Sequence, residues 1–286
     1  HYAYPILGNT VFFDTLEGEM YHFREMDQPA PLLSFSNDEE SKGKHLLEEM
    51  GIGGVPWFVC FFARDGGYHA NRGFQDVKHH RNTNIETYLK AAENIVKSGG
   101  AAVRLGAGVE RALPDGLHPH IVDYAFNHQS DFGDIYLIAK CRFFLASSAG
   151  IIHVAPIFKT PVAAVNMFPH LPVPTGRHSL YIPKLLSHLE TGEIANFSAV
   201  HRANAFAWEP APRVEWDNFK TFEKNGFGII ENTPQEIHEL CLDMEDSLAG
   251  IKPDQEAVEL QQIYKQRFLS GGPYDLDHVP NIGPRF

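Results

Sequence analysis

The sequence predicts an α/β fold built on a parallel sheet, and three observations carry that expectation. Between Trp57 and Asn166, short apolar runs alternate with longer segments of helical period. The runs are apolar at every position rather than at every second one, which is the pattern of a strand covered by helices on both faces. Glycine, proline or a capping residue marks most changes of period.

The first fifty residues read as irregular. Strand-like Val11-Phe12-Phe13 precedes the Pro-rich stretch 28–33. A helix is expected next: Ser36, Asn37 and Asp38 offer capping side chains, Glu39 and Glu40 place acids in its first turn, and Gly51 ends it. Gly53-Gly54-Val55-Pro56 then breaks the chain.

WFVCFFA (57–63) reads as the first buried strand. After a polar loop, Ile85, Leu89, Ala92 and Val96 fall on one face of a helix that Gly99-Gly100 stops. AAVRL (101–105) and HIVDYA (120–125) read as strands, Ser130 as the cap of helix DFGDIYLIAK, and RFFLA (142–146) as the next strand. Helix GIIHVAPIF and strand PVAAVN (161–166) complete the alternating part. Residues 167–226 show few clear periods. GFGIIEN is a further strand, and Pro234 opens a helix whose Ile237, Leu240, Cys241, Met244 and Leu248 share a face. A last helix is expected from about Pro253 to Phe268, followed by an extended tail. The chain divides into an N-terminal segment 1–56, a domain 57–250, and a helix and tail 251–286.

The chain has 286 residues and a formal net charge of -12, from 24 basic and 36 acidic side chains. An acidic surface repels nucleic acid and anionic lipid, so a phosphate has to be held by a local pocket rather than a basic face. Three cysteines, Cys60, Cys141 and Cys241, lie far apart in apolar stretches. That spacing suggests neither a disulfide framework nor a zinc site, and fits buried thiols in a reducing compartment. No run of 18 apolar residues occurs, and the start HYAYPILGNT does not read as a signal peptide. The expectation is a soluble, cytoplasmic protein whose first residue follows a processed or absent segment.

In an open parallel sheet, ligands bind beyond the carboxyl ends of the strands. Two such ends carry unusual chemistry here. Arg64-Asp65-Gly66-Gly67 follows the strand 57–63, so an arginine, a bidentate donor suited to phosphate, stands at the strand tip. Its bland alternative is an Arg–Asp pair that pins the loop. Ser147-Ser148-Ala149-Gly150 follows strand 142–146, where amides at a helix start and two hydroxyls can cradle an anion. The alternative there is ordinary capping by Ser148. At the end of HIVDYA, Asp123 and Tyr124 are placed to hydrogen-bond and flank a nucleobase, or to serve as a capping acid and a core ring.

The loop 68–84 is long for a strand–helix connection, and its His69, Arg72, Asp76 and Arg81 are within reach of a ligand at that end. Asp65 and His69 are the candidate catalytic groups, with His69 as general base and Asp65 as organiser. His79-His80 and His118/His120 lack metal-ligand spacing with acidic or thiol partners, and Asp275-Leu276-Asp277 sits in a Pro/Gly tail. No metal site and no cofactor is expected.

FVCFFARDGGYH, RNTNIETYLKAAENIVKSGGAAVRLGAG, VDYA, SDFGDIYLIAKCRFFLASSAGIIHVAPIFKTPVAAVN and GFGIIENTPQEIHEL together resemble a group of bacterial glycosyltransferases, more distantly similar to the fucosyltransferase-like GT-B enzymes. The resemblance spans roughly residues 35–250. It implies a Rossmann-like sheet of the GT-B C-terminal type, a nucleotide-sugar donor, a glycan or other acceptor, and transfer without metal. It implies that Arg64 holds the donor pyrophosphate, as the Arg of a His-x-Arg motif, and that Ser147, Ser148 and Gly150 form the phosphate loop. Phe62 stands where that motif has its His, and Gln235 replaces the first acid of the late helix motif. Residues 1–56 are too few for the acceptor domain of a complete GT-B enzyme. Either the chain is a fragment, or 1–56 and 167–226 build the acceptor site. Two functions follow: a metal-independent glycosyltransferase, or a nucleotide- or glycan-binding module that has lost catalysis.

Overall fold

A computed structural model describes residues 2–6, 9–13, 30–70, 80–167, 178–196, 199, 219–266 and 281–286, with the main chain alone at 2–6, 9–13, 69 and 219–221. Strands β1 (Tyr2–Ile6) and β2 (Asn9–Phe13) form an antiparallel hairpin. The segment expected to be irregular thus contains two paired strands. Helix α1 (Asn37–Glu49) starts where the capping residues place it, with Ser36 as cap. Glu39 closes a reciprocal capping box, its carboxylate accepting from the Ser36 amide at 2.7 Å.

β3 (Phe58–Phe62) leads through the short α2 (Gly67–Ala70) and residues 80–84 into a 3-10 turn, Ile85–Tyr88, that runs directly into α3 (Leu89–Lys97). The buried stripe of that helix is Ile85, Tyr88, Ala91, Ala92 and Ile95, while Leu89 and Val96 lie at its margin. The tighter 3-10 start rotates the stripe away from the purely α-helical expectation. β4 (Ala101–Arg104) follows. β5 is only Ile121–Val122, because Asp123 leaves the strand and Tyr124 opens α4 (Tyr124–Asn127). α5 (Asp131–Lys140) is capped by the Ser130 hydroxyl. β6 (Phe144–Ala146) passes through a 3-10 turn, Gly150–His153, to α6 (Val154–Ile157) and β7 (Val162–Met167).

Two strands then appear inside the stretch without clear period: β8 (Leu180–Pro183) and β9 (Leu185–His188). α7 (Phe219–Lys224) precedes β10 (Phe227–Ile230). β10 pairs with β9 in a separate antiparallel ribbon rather than in the main sheet. α8 (Pro234–Leu248) has Pro at its first turn and a Thr233–Glu236 capping box. α9 (Gln255–Tyr264) and β11 (Asn281–Ile282) follow.

The main sheet has seven parallel strands in the order β11-β8-β7-β6-β3-β4-β5. The chain starts at β3, steps outward to β4 and β5, returns to the other side of β3 at β6, and steps outward again. That is the doubly wound, Rossmann-like α/β order, with its reversal between β3 and β6. Alternation along β3 sends Phe58 and Cys60 to one core with Met50, Ile52, Leu137 and Ile138, and Val59, Phe61 and Ala63 to another with Ile85, Ala92, Ile237, Leu240 and Met244. Both faces of the sheet are therefore covered, as the unbroken apolar run requires. All three cysteines are buried free thiols. Among the described residues, no helix is long and apolar enough to cross a membrane.

Candidate functional site

At the point where the strand order reverses, the carboxyl ends of β3, β4 and β6 open onto a cavity of about 550 Å³. It is lined by Phe62, Arg64, Asp65 and Tyr68 after β3, Arg81 farther along the same connection, Gly106, Ala107 and Val109 after β4, Asp131 and Asp134 on α5, and Ala149, Gly150 and Ile151 after β6. A crevice at such a reversal is where open α/β sheets hold ligands, since the two halves of the sheet send their loops apart there.

Arg64 is the first residue beyond the apolar run of β3, and it is 8% exposed. Its main chain is fixed on both sides. The Arg64 amide donates to Ser147 Oγ at 2.8 Å, and its carbonyl accepts from the Thr83 amide at 2.9 Å. Ser147 is wholly buried and its own amide bonds Phe62 O at 3.1 Å. The β6 tip thus clamps the β3 tip.

Asp65 organises the following turn. Its Oδ1 accepts from the Gly67 amide and its Oδ2 from the Glu110 amide, both at 3.0 Å. The close approach needs a glycine at 67, because a Cβ there would lie 2.2 Å from Gly108 O. His69 lies on α2, with its side chain outside the described residues. Arg72, Asp76, His79 and the Asp275/Asp277 pair also lie outside them.

The structure does not bring every sequence-derived candidate to the cavity. Arg64, Asp65 and Gly150 line it together; Ser147 and Ser148 do not line it, and Ser147 acts on Arg64 from behind. Ala149, not Ser148, is the N-cap of the turn Gly150–His153, with no side-chain cap bond. Asp123 and Tyr124 are engaged in the scaffold. The Asp123 carboxylate bonds Arg104 Nη1 at 3.2 and 3.3 Å and accepts from the Leu113 amide at 2.7 Å. Tyr124 is fully buried, its hydroxyl donating to Ser130 O at 2.9 Å and accepting from the Ser130 amide at 2.8 Å. Burial is the main reason its pKa is pushed up to about 12. His118 and His120 stack edge to face with centroids 5.1 Å apart. Among the described residues no three His, Cys, Asp or Glu side chains gather as a metal cluster.

Sequence reasoning passed over Asp131 and Asp134, which lie in the first turn of α5. Their spacing of three places both on one helical face, the one signal that pointed to a shared surface. Gln129 Nε2 donates to Asp134 Oδ2 at 2.9 Å, whereas Oδ1 is buried and has no hydrogen-bond partner among the described residues. The nearby Tyr124 hydroxyl commits its proton to Ser130 O. Burial therefore raises the Asp134 pKa above the usual carboxylate value, against the lowering effect of Gln129. An arginine whose main chain is locked and two carboxylates thus share one cavity. Such a lining suits a ligand that is anionic at one end and rich in hydroxyl or N–H donors at the other.

No protein-family model matches the chain, and no curated protein matches it. Among solved structures, it is similar to the crystal structure of the glycosyl transferase family 9 protein from Veillonella parvula DSM 2008. The two share 8% identity and a TM-score of 0.42, over 76% of this chain and 53% of that one. The chain thus spans about half the length of that structure. A likeness of this size does not extend to activity, which the site itself has to carry.

Proposed function

We propose that the cavity binds a nucleotide-sugar donor and that the chain is the donor-binding part of a metal-independent glycosyltransferase. The observation that carries the reading is Arg64, a buried arginine held by main-chain bonds at the reversal point of a doubly wound sheet. A nucleotide sugar is anionic at its diphosphate and bears hydroxyl donors on its sugar and ribose. The same combination is matched by Arg64 with Asp131 and Asp134. In the transfer, Arg64 stabilises the charge that grows on the leaving diphosphate, a role an arginine can fill without a metal ion. Asp65 holds the turn, and His69, on α2, is the proposed general base that takes the proton of the acceptor hydroxyl. The acceptor is a glycan or another hydroxyl-bearing molecule.

Arg64→Ala is expected to keep the fold and weaken donor binding by about 2–4 kcal/mol, roughly 30- to 1000-fold, the loss typical of a charge-assisted contact to phosphate. Calorimetry with GDP-, UDP-, CMP- and dTDP-sugars measures this. Undiminished binding by the variant refutes the assignment. Transfer is expected to persist in EDTA, and a strict requirement for Mg²⁺ or Mn²⁺ would overturn the metal-free mechanism.

A second reading, a binding module without turnover, is favoured by two features. Both carboxylate oxygens of Asp65 are committed to amides, and Phe62 lines the cavity where the resembling motif has an imidazole. Donor binding without any transfer or hydrolysis of the nucleotide sugar would establish it.

A further inference from the structure

The loop that returns from the cavity to the 3-10 turn Ile85–Tyr88 brings a second arginine to the same lining, Arg81. The way its main chain is held is the informative part. Lys184, 2% exposed at the carboxyl end of β8, donates from Nζ to the carbonyls of His80 at 2.9 Å and Asn82 at 2.8 Å. These are the two residues that flank Arg81. A third contact runs to Glu231 Oε1 at 3.2 Å.

One residue beyond Asn82, the Thr83 amide donates to Arg64 O at 2.9 Å, and Thr83 Oγ1 accepts from Asn166 Nδ2 at 3.0 Å. Asn166 is itself locked to Asn232 by two reciprocal bonds, the amide of each donating to the side-chain Oδ1 of the other. The segment around Arg81 is thereby bonded to Lys184 just after β8, through the Thr83 hydroxyl to Asn166 of β7, and through the Thr83 amide to the tip of β3. Enclosing an ammonium is unfavourable unless its donors are met, and burial does lower the Lys184 pKa, with Glu231 opposing. Here its partners are the carbonyls on either side of a cavity-lining arginine. That placement serves the position of the loop more than the stability of the core.

We propose that Arg81 is a second anion ligand of the cavity, acting with Arg64 on the two phosphoryl groups of a diphosphate, and that Lys184 is the positioning residue that sets Arg81 there. This rests on the reading of the cavity as a donor site. Two guanidinium-bearing residues line one cavity, and the main chain at each is held by a side chain from elsewhere in the sheet, Ser147 at Arg64 and Lys184 around Arg81. The pair matches a diphosphate, which presents acceptor oxygens on two adjacent phosphorus atoms.

The test titrates inorganic pyrophosphate and a panel of nucleoside diphosphates (ADP, GDP, UDP, CDP, dTDP) into wild type, Arg64→Ala, Arg81→Ala, Lys184→Met and the double variant Arg81→Ala/Lys184→Met. Thermal unfolding and near-UV circular dichroism confirm the fold of each. Arg81→Ala is expected to weaken pyrophosphate and the best nucleotide by about 10- to 100-fold, as does the loss of a charge-assisted hydrogen bond. Lys184→Met is expected to weaken them in the presence of Arg81 and to add nothing once Arg81 is gone, a coupling that a purely structural lysine does not show. Should Lys184→Met fail to fold, Glu231→Gln is read in the same cycle, with a smaller loss that again needs Arg81. If Arg64→Ala loses the probes and Arg81→Ala keeps them, the second ligand is refuted while the donor site stands. Equal losses from Lys184→Met in both backgrounds refute the positioning role. If wild type binds neither pyrophosphate nor any nucleotide, the donor reading and this proposal fall together.

Discussion

At the scale of single residues, Asp123 and Arg64 show how differently two charged strand-tip side chains can be used. Arg104 and Asp123 form an enclosed ion pair, with side chains 2% and 9% exposed, and Arg104 Nη1 also bonds Arg111 O at 2.8 Å. Removing one partner strands the other charge. Asp123→Ala is therefore expected to lower stability by about 3–5 kcal/mol, whereas Arg104→Met/Asp123→Leu should recover much of that loss. Urea unfolding measures both, and a single-variant loss below about 1 kcal/mol, the range of an exposed pair, would contradict the structural role. Arg64 was legible in the sequence because an unbroken apolar run points it out. The partner of Asp123 was not legible, since Arg104 lies inside the apolar run AAVRL and only the neighbouring strand brings the two together. Asp134 was hidden for a similar reason: its sequence context matches an ordinary first-turn acid, and its cavity is made by other strands.

At the scale of elements, caps and periods were read well and packing was not. Ser36, Ser130 and Pro234 mark helix starts in the chain and in the structure alike, because such signals act within three residues of themselves. Gly43 shows what locality omits. It sits mid-helix in α1, where alanine has the higher propensity by about 0.5–1 kcal/mol, so sequence reasoning favours Gly43→Ala. In the structure α1 meets α5 over this glycine, and a Cβ would fall 2.0 Å from the Tyr136 ring. Overpacking costs about 1–3 kcal/mol and outweighs the propensity gain, so Gly43→Ala is expected to destabilise. A higher Tm in the variant would show that the ring yields freely. β8 and β9 escaped notice because Leu180–Pro183 and Leu185–His188 are four-residue strands separated only by Lys184, too short for a period to show.

At the scale of the whole molecule, the cavity carries a conflict between binding and stability. Burial raises the Asp134 pKa, so the folded state holds that proton more tightly than the unfolded chain, whose carboxyl titrates near 3.8. The bound-proton difference makes this group's contribution fall as pH rises from 3.8 through the folded pKa, above which the cost of the ionised form is complete. Asp134→Asn is expected to unfold at higher urea than wild type at pH 7, with the gain shrinking as pH is lowered toward 4. A gain that grows on acidification has the wrong sign for this cause. The sequence by itself determined the α/β class, the helix starts and Arg64 at a strand tip, since each depends on period or on neighbours within a few residues. Only the tertiary structure decided the strand order, because pairing depends on contacts between residues far apart in the chain. That order places the tips of β3 and β6 side by side at the reversal, with β11 from the C-terminal tail on the far edge of the sheet. The same long-range contacts buried Asp123 against Arg104, turned Ser147 toward the Arg64 amide, and set Asp134 and Arg81 around one cavity. Side chains remote in sequence acquire a shared chemistry only when the packed sheet excludes water from between them.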